Sequence, residues 1–254
     1  MIDIHCHLLP GVDDGPAEES TSLAMCRLAA EHGTTDLVAT PHANSRYTYS
    51  PERNQEMLQR LQEALGPAPR LHAGCDFRLT YDNITAALAE HKRFTIAGGP
   101  YLLVEFSDQV ISKGTSEVFA RLSERGVAPV ITHPERNPVL REHHSRLAVW
   151  VQRGCLIQVT GQSLLGGFGE RSRDAAIALM NARLVHVIAS DGHDLEKRPP
   201  VLSDSFAFVV DRWGEETAQR LFVANPQAIL EGRAVETGRP RLSRRKRWWQ
   251  FWRQ

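Results

Sequence analysis

The sequence predicts a single-domain α/β barrel of parallel strands across residues 1–235, followed by a short basic tail at 236–254. Three observations predict it. Strand-like and helix-like stretches alternate seven times, an order that gives parallel strands joined by right-handed crossovers. Strands such as Tyr101–Val104 and Val185–Ala189 are almost continuously apolar, as in a sheet covered on both faces. All but one of the strands run into a histidine or a carboxylate at the C-terminal end, the face where barrels of this kind place their chemistry.

The elements follow in order. Ile2 and Ile4 alternate with Asp3, His5 and His7, the period of a strand. Pro10-Gly11 and Asp13-Asp14-Gly15 then turn the chain. A helix is expected over Pro16–His32, with Pro16 in its first turn, Glu18 and Glu19 near its N-terminal end and Gly33 as its stop. The strand Thr34–Thr40 leads into Pro41-His42. Pro51 opens a helix that runs to Leu65. One strand is expected over Arg70–Phe77, carrying Asp76, with a weaker helix over Ile84–His91. Tyr101–Phe106 forms a strand carrying Glu105, and a helix over Ser116–Arg125 ends at Gly126. The strand Val127–Thr132 runs into His133-Pro134-Glu135-Arg136, and a helix over Ser145–Arg153 stops at Gly154. The strand Leu156–Thr160 precedes a glycine-rich turn (Gly166, Gly167, Gly169) and a helix through Ala182. The last strand, Leu184–Ala189, delivers Ser190-Asp191-Gly192-His193. Helical stretches at Val201–Arg212, Glu215–Phe222 and Pro226–Glu231 close the domain.

Residues i and i+2 of a strand share a face, so His5 and His7 stand side by side within reach of one ion. An isolated His-x-His is more often a surface or core pair than a ligand. Here the strand ends add His42, Asp76, Glu105, His133, Asp191 and His193, and the first loop adds Asp14. Ionisable groups at the ends of apolar strands are costly unless paired or coordinated. Nine imidazole and carboxylate donors without thiolate suit Mn, Fe, Zn or Co in a cluster of two or three ions, and not a closed structural zinc site. Carboxylates that bridge ions bring them to roughly 3.5–4 Å, the spacing used for in-line displacement at phosphorus. Asp13 reads as a turn residue, with ligation in place of Asp14 as the alternative. Gly166-Gly167-Phe168-Gly169 reads as a turn, or as a phosphate cradle at a helix start. Arg46, Tyr47 and Tyr49 read either as the lip of a substrate mouth or as an exposed loop.

The motifs "MIDIHCHLLPGVDDG", "ATPH", "LLVEFS", "VITHPERN", "QVTGQSLLGGFG" and "VIASDGHD…RPP" resemble, in order, those of the polymerase-and-histidinol-phosphatase (PHP) superfamily of metal-dependent phosphoesterases, from Met1 to about Gly232. Within it the chain is most similar to the bacterial protein-tyrosine phosphatases encoded with capsule and exopolysaccharide genes. The resemblance implies a PHP-type distorted (β/α)7 barrel and three divalent metal ions, manganese first, with Fe, Co or Zn as alternatives. It implies that His5, His7 and Asp191 hold one ion, that Asp76 bridges to a second held by Glu105 and His133, and that Asp14, His42 and His193 hold the third. Arg136 and Arg198 match the family's phosphate-binding arginines, and Asp191 and His193 are candidates to assist the chemistry. The implied substrate is a phosphotyrosine protein, a membrane-associated bacterial tyrosine kinase or its target. A small-molecule phosphatase, such as one for histidinol phosphate, is the alternative. Asp76 stands where the family usually has Glu, and Asn137 where Tyr is common.

Composition narrows the remaining classes. With 254 residues, 42% hydrophobic and 24% charged, the chain has an ordinary globular composition. Asp3, His5 and His7 interrupt any secretory apolar stretch at the N-terminus, and no run is long enough to span a membrane, so a cytoplasmic enzyme is expected. Cys6, Cys26, Cys75 and Cys155 are scattered, which fits reduced thiols. None is followed by arginine six positions later (Val12, His32, Tyr81 and Gly161 stand there), which excludes a cysteine-dependent phosphatase. The net charge of zero hides an asymmetry. Seven of the 30 basic residues lie between Arg239 and Gln254 with no acid, leaving 23 against 30 acids in the body. Trp248, Trp249, Phe251 and Trp252 interleave with these cations. That pattern suits an interfacial membrane contact, with a disordered, solvated end as the alternative, and the acidic body argues against nucleic acid.

Overall fold

The computed structural model describes residues 1–235; the expected tail at 236–254 lies outside the described residues. Nine parallel strands are present: β1 (Ile2–Cys6), β2 (Asp36–Ala39), β3 (His42–Ala43), β4 (Arg70–Ala73), β5 (Asp76–Arg78), β6 (Tyr101–Glu105), β7 (Ala128–Ile131), β8 (Leu156–Thr160) and β9 (Val187–Ala189). They make seven passes, because β2 and β3 are two halves of the second pass and β4 and β5 of the third. The lower halves pair in the order β1-β2-β4, and the upper halves join a second sheet, β3-β5-β6-β7-β8-β9. The two sheets meet where β1 touches the end of β9, through a parallel bridge between Cys6 and Gly192 and a bond from Asp191 N to His5 O of 2.8 Å. The result is a curled parallel sheet, the distorted (β/α)7 barrel expected of a PHP-type fold.

The single strand expected over Arg70–Phe77 is therefore corrected to two. The break falls at Gly74-Cys75, and Gly74 shows why. A Cβ there would lie 2.8 Å from Val38 Cγ1 and 3.2 Å from Thr40 Cγ2. Backbone passes so close to the second strand that only glycine fits, and the chain steps from one sheet to the other.

Among the described residues ten α-helices, α1 (Glu19–Glu31), α2 (Pro51–Leu65), α3 (Tyr81–Glu90), α4 (Thr115–Glu124), α5 (His144–Gln152), α6 (Gly161–Leu165), α7 (Glu170–Asn181), α8 (Ser203–Trp213), α9 (Glu215–Gln219) and α10 (Asn225–Leu230), cover the outside. In α2, Pro51 occupies the first turn, and Asn54, Met57, Leu58 and Leu61 recur at the spacing of one buried face. The helix α1 begins at Glu19, three residues later than Pro16. The expected glycine-rich turn contains a short helix, α6, and the expected helix 215–222 passes into a π-helical turn over Arg220–Ala224.

Three apolar clusters hold these layers together. One gathers Leu103, Val130, Leu156 and Val187 from consecutive strands with Ile2, Ile4 and Val38, and so fills the barrel. A second, with Phe77, Phe106, Trp150 and Phe222, lies between sheet and helices, and a third packs α1 and α2 on β1 and β2. Tyr101, Leu103 and Glu105 alternate onto one face of β6, so Glu105 rises directly from the filled interior. All four cysteines are free and buried, Cys6 among them in the core. No helix among the described residues is long and apolar enough to cross a membrane.

Candidate metal centre

All nine candidate ligands converge at the C-terminal ends of the strands. His5 Nε2 and His7 Nε2 lie 3.3 Å apart, with Asp191 Oδ1 at 3.3 Å from the first and 3.5 Å from the second. His42 Nε2 stands 3.3 Å from Asp14 Oδ1, and its Nδ1 3.0 Å from Asp76 Oδ2. The donor atoms fall into four overlapping groups, each within 4.8 Å: His7, Asp14, His42 and His193; His5, His7 and Asp76; His5, His133 and Asp191; and His42, Asp76 and Glu105. This grouping differs from the one the resemblance implied. Glu105 sits with His42, and His133 sits with His5 and Asp191.

Three histidines have their unused ring nitrogen fixed by an acceptor. His7 Nδ1 donates to Asp13 Oδ2 (2.7 Å), His5 Nδ1 to Gln158 Oε1 (3.1 Å), and His193 Nδ1 to the Asp191 carbonyl (2.8 Å). Carboxylate and carbonyl oxygens only accept, so each ring presents Nε2 as a lone pair to the cluster. That is the way a metal-ligating histidine is oriented. Asp13 also accepts from the His42 and Gly15 amides, so it is neither a plain turn residue nor a substitute for Asp14.

The charge states suit a cation. Burial, reinforced by His193, lowers His7 to about 4, and burial with Arg136 lowers His133 well below the usual range, so both imidazoles are neutral. Burial would raise Asp191, but His5, Arg136 and Arg198 outweigh it and hold the carboxyl ionised. Asp76 follows the same pattern, its burial offset by His42, His5 and His133. The His193 and His42 contacts lower Asp14. Burial and the Asp76 charge push Glu105 up to about 7. Burial would lower His42, but Asp14, Asp76 and Glu105 carry it up to about 11, so without an ion this imidazole is protonated and itself supplies the positive charge that the three carboxylates call for.

Asp76 Oδ1 is buried without a hydrogen-bond partner, and the nearest partner of Oδ2 is His42 Nδ1, an ion-pair contact at 3.0 Å. An ionised carboxylate with one oxygen unpaired is expensive in a protein interior. Divalent ions fit this donor set, because they would satisfy Asp76 and relieve the repulsion that raises Glu105. Two of the candidate ligands, His133 (φ 31°) and Asp191 (φ 54°), hold left-handed backbone, the kind of strain found at functional sites.

Arg136 and Arg198 both reach Asp191 Oδ2 from the rim, with about a fifth of each side chain exposed. Phe168 lies under both guanidinium groups, its centroid 4.2 Å from Arg136 Cζ and 5.8 Å from Arg198 Cζ. Tyr47 stacks against His42 at 5.8 Å between centroids, and the Arg46 guanidinium lies over the Tyr47 ring at 5.0 Å, so these two line the mouth. Tyr49 turns away, its hydroxyl donating to the carbonyls of Gly74 and Arg93. Sequence reasoning missed Asp13 as an orienting group and missed Gln158, Arg78 (3.0 Å from Glu105 Oε2) and buried Glu135.

A parallel barrel with an imidazole–carboxylate cluster at its strand ends and paired arginines on the rim defines a metal-dependent hydrolase of the α/β-barrel type. Within that class the chain belongs to the CpsB/CapC family of capsular polysaccharide synthesis, whose family model matches residues 1–231. It is 31% identical to the tyrosine-protein phosphatase YwqE of Bacillus subtilis, over 99% of this chain and 100% of that one. It is 29% identical to the tyrosine-protein phosphatase CpsB of Streptococcus pneumoniae, over 91% of this chain and 98% of that one. A crystal structure from work on YwqE and CpsB, described as unique metal-dependent tyrosine phosphatases, superposes with a TM-score of 0.88 at 31% identity, covering 96% of this chain and 100% of that one. A lactonase from Listeria monocytogenes shares the fold alone, with a TM-score of 0.59 at 10% identity over 90% of this chain and 94% of that one.

Proposed function

We propose that this chain is a metal-dependent protein-tyrosine phosphatase that removes phosphate from a bacterial tyrosine kinase or its targets and so regulates capsule or exopolysaccharide synthesis. The observation that supports this most is the buried Asp76 carboxylate, one oxygen unpaired, amid eight further imidazole and carboxylate donors, in a chain whose full-length relatives are tyrosine-protein phosphatases. The metal ligands in this reading are His5, His7, Asp14, His42, Asp76, Glu105, His133, Asp191 and His193. They would hold three divalent ions, manganese first.

When bound, the ions supply Lewis acidity, withdrawing charge from the phosphoryl oxygens and acidifying water. The protein does the rest. Arg136 and Arg198 present planar guanidinium forks to the equatorial oxygens of the phosphoryl group. Asp191 anchors both arginines and is kept ionised by them, so at neutral pH it orients and does not donate a proton. His193, held by its Nδ1 bond to the Asp191 carbonyl, aims Nε2 toward Asp14, 3.6 Å away, where the two would hold an ion together. The tyrosyl leaving group has a conjugate-acid pKa of about 10, so protonation assists but is less demanding than for an alkyl ester. Asp13 and Gln158 keep the histidine rings from turning.

The basic, tryptophan-rich sequence at 241–254 would bring the enzyme to the inner face of the cell membrane, where a membrane-associated kinase is found. Co-sedimentation with anionic liposomes should fall when these residues are removed; unchanged binding contradicts the assignment. The activity itself is tested by comparing phosphotyrosine peptides, phosphoserine peptides and histidinol phosphate on the metal-reconstituted protein. Phosphotyrosine should be strongly preferred, and preference for histidinol phosphate would overturn the reading.

A further inference from the structure

We propose that Phe168 is a positioning residue, an aromatic platform that holds Arg136 and Arg198 in the orientation that binds the phosphoryl group. The inference rests on the phosphate-binding role of those arginines. Arg136 Cζ lies 4.2 Å and Arg198 Cζ 5.8 Å from the ring centroid, within the range where a cation is attracted to a π face. The two guanidinium groups reach the ring from different elements, the loop after β7 and the loop after β9. Both also reach one atom, Asp191 Oδ2. Two long cationic side chains at the rim would otherwise sample many rotamers. The ring contact and the shared carboxylate together restrict both side chains.

The backbone around the ring is built for this. Glu135, adjacent to Arg136, accepts hydrogen bonds through Oε1 from Thr160 N (3.0 Å) and Ser163 Oγ (2.8 Å), which ties the start of α6 to the loop carrying that arginine. Gly166 (φ 91°) ends α6 in left-handed backbone, and Gly169 (φ 83°) turns the chain into α7. Phe168 stands between these two reversals, half-buried, with its face toward the guanidinium groups. The run Gly166–Gly169 therefore presents an aromatic ring to the site, in addition to making a turn.

The test uses full-length, manganese-loaded protein and three variants, Phe168→Leu, Phe168→Tyr and Arg136→Ala. Orthophosphate affinity is measured by titration calorimetry, KM and kcat on a phosphotyrosine peptide, and Tm on each variant. Phe168→Leu keeps an apolar side chain but removes the π face. It should weaken orthophosphate binding about fivefold and raise KM by a similar factor, with a smaller change in kcat and no loss of Tm. Phe168→Tyr keeps the face and should restore both constants. Orthophosphate has no ring, so a rise in KM without weaker orthophosphate binding would show Phe168 touching the substrate's phenyl group and overturn the proposal. Unchanged constants in Phe168→Leu, with Arg136→Ala still weakening orthophosphate, would reduce Phe168 to a turn residue and leave the function intact. Unchanged orthophosphate binding in Arg136→Ala would instead contradict the arginine assignment on which both readings rest.

Discussion

Asp13 shows most clearly how single residues set the chemistry here. Its carboxylate touches His7 Nδ1 and the His42 amide, so it fixes one candidate ligand and the backbone of another. Removing a group of this kind costs about 10–100-fold in metal affinity, and Asp13→Ala should do so in a manganese titration while leaving the fold intact. Wild-type affinity would show the contact to be incidental. His186 supplies a contrast away from the cluster. It is buried, its Nδ1 accepts from the Ile157 amide, and burial together with Arg220 lowers its pKa to about 4. A histidine with a folded pKa below its unfolded value of about 6.5 stabilises the fold fully above that value. The stabilisation is lost as the pH falls from about 6.5 towards 4, on the order of 2 kcal/mol between pH 7 and 5. His186→Asn keeps the acceptor without the titration, so urea unfolding of the variant should lose less stability over that interval than the parent. Equal losses would rule His186 out as the source.

The candidate ligands other than Asp14, which lies in the first loop, were legible in the sequence because each stands at or just past the end of a strand, where an ionisable side chain breaks an apolar run. The supporting residues carry no such mark. Asp13 and Asp14 are adjacent carboxylates, and nothing in the order of residues says which one faces an imidazole from behind. Gln158 lies inside the strand that ends without a ligand, an unremarkable amide until the fold sets it against His5.

At the scale of elements, the seven βα units follow the alternation of the sequence closely, with α2 matching its expected bounds from Pro51 to Leu65. The break between β4 and β5 was not legible. Leu71, Ala73, Cys75 and Phe77 continue the period of a strand straight through it. The step is imposed by the close approach of the neighbouring strand at Gly74, a tertiary cause that local pattern does not carry. Gly74→Ala should therefore destabilise the protein by about 1–3 kcal/mol, since Val38 and Thr40 have to give way. A Tm equal to the parent's would mean that the two sheets tolerate a wider separation. The step also matters for the site, because it places Asp76 and His42 opposite one another on the short strands β5 and β3.

For the molecule as a whole, the filled barrel, the helices outside it and the ligands at one end make metal binding and folding mutually dependent. Asp76 and Asp191 are buried, with Glu105 largely covered beside them and Asp14 at the exposed rim, and cations relieve this crowding of negative charge. Anything that binds the native state alone stabilises it, by about 4 kcal/mol when present at a thousandfold excess over its dissociation constant. Chelation should accordingly lower Tm, and manganese should restore it; an identical Tm in both states would mean that the cluster folds without ions. The central claim is that these donors hold the ions on which phosphotyrosine hydrolysis depends. The most direct measurement follows the rate on a phosphotyrosine peptide while manganese is added stepwise to chelator-stripped protein. The account predicts no turnover in the stripped protein and a rate that climbs to a plateau as the sites fill. Full turnover before any manganese is added, with chelator still present, would contradict it.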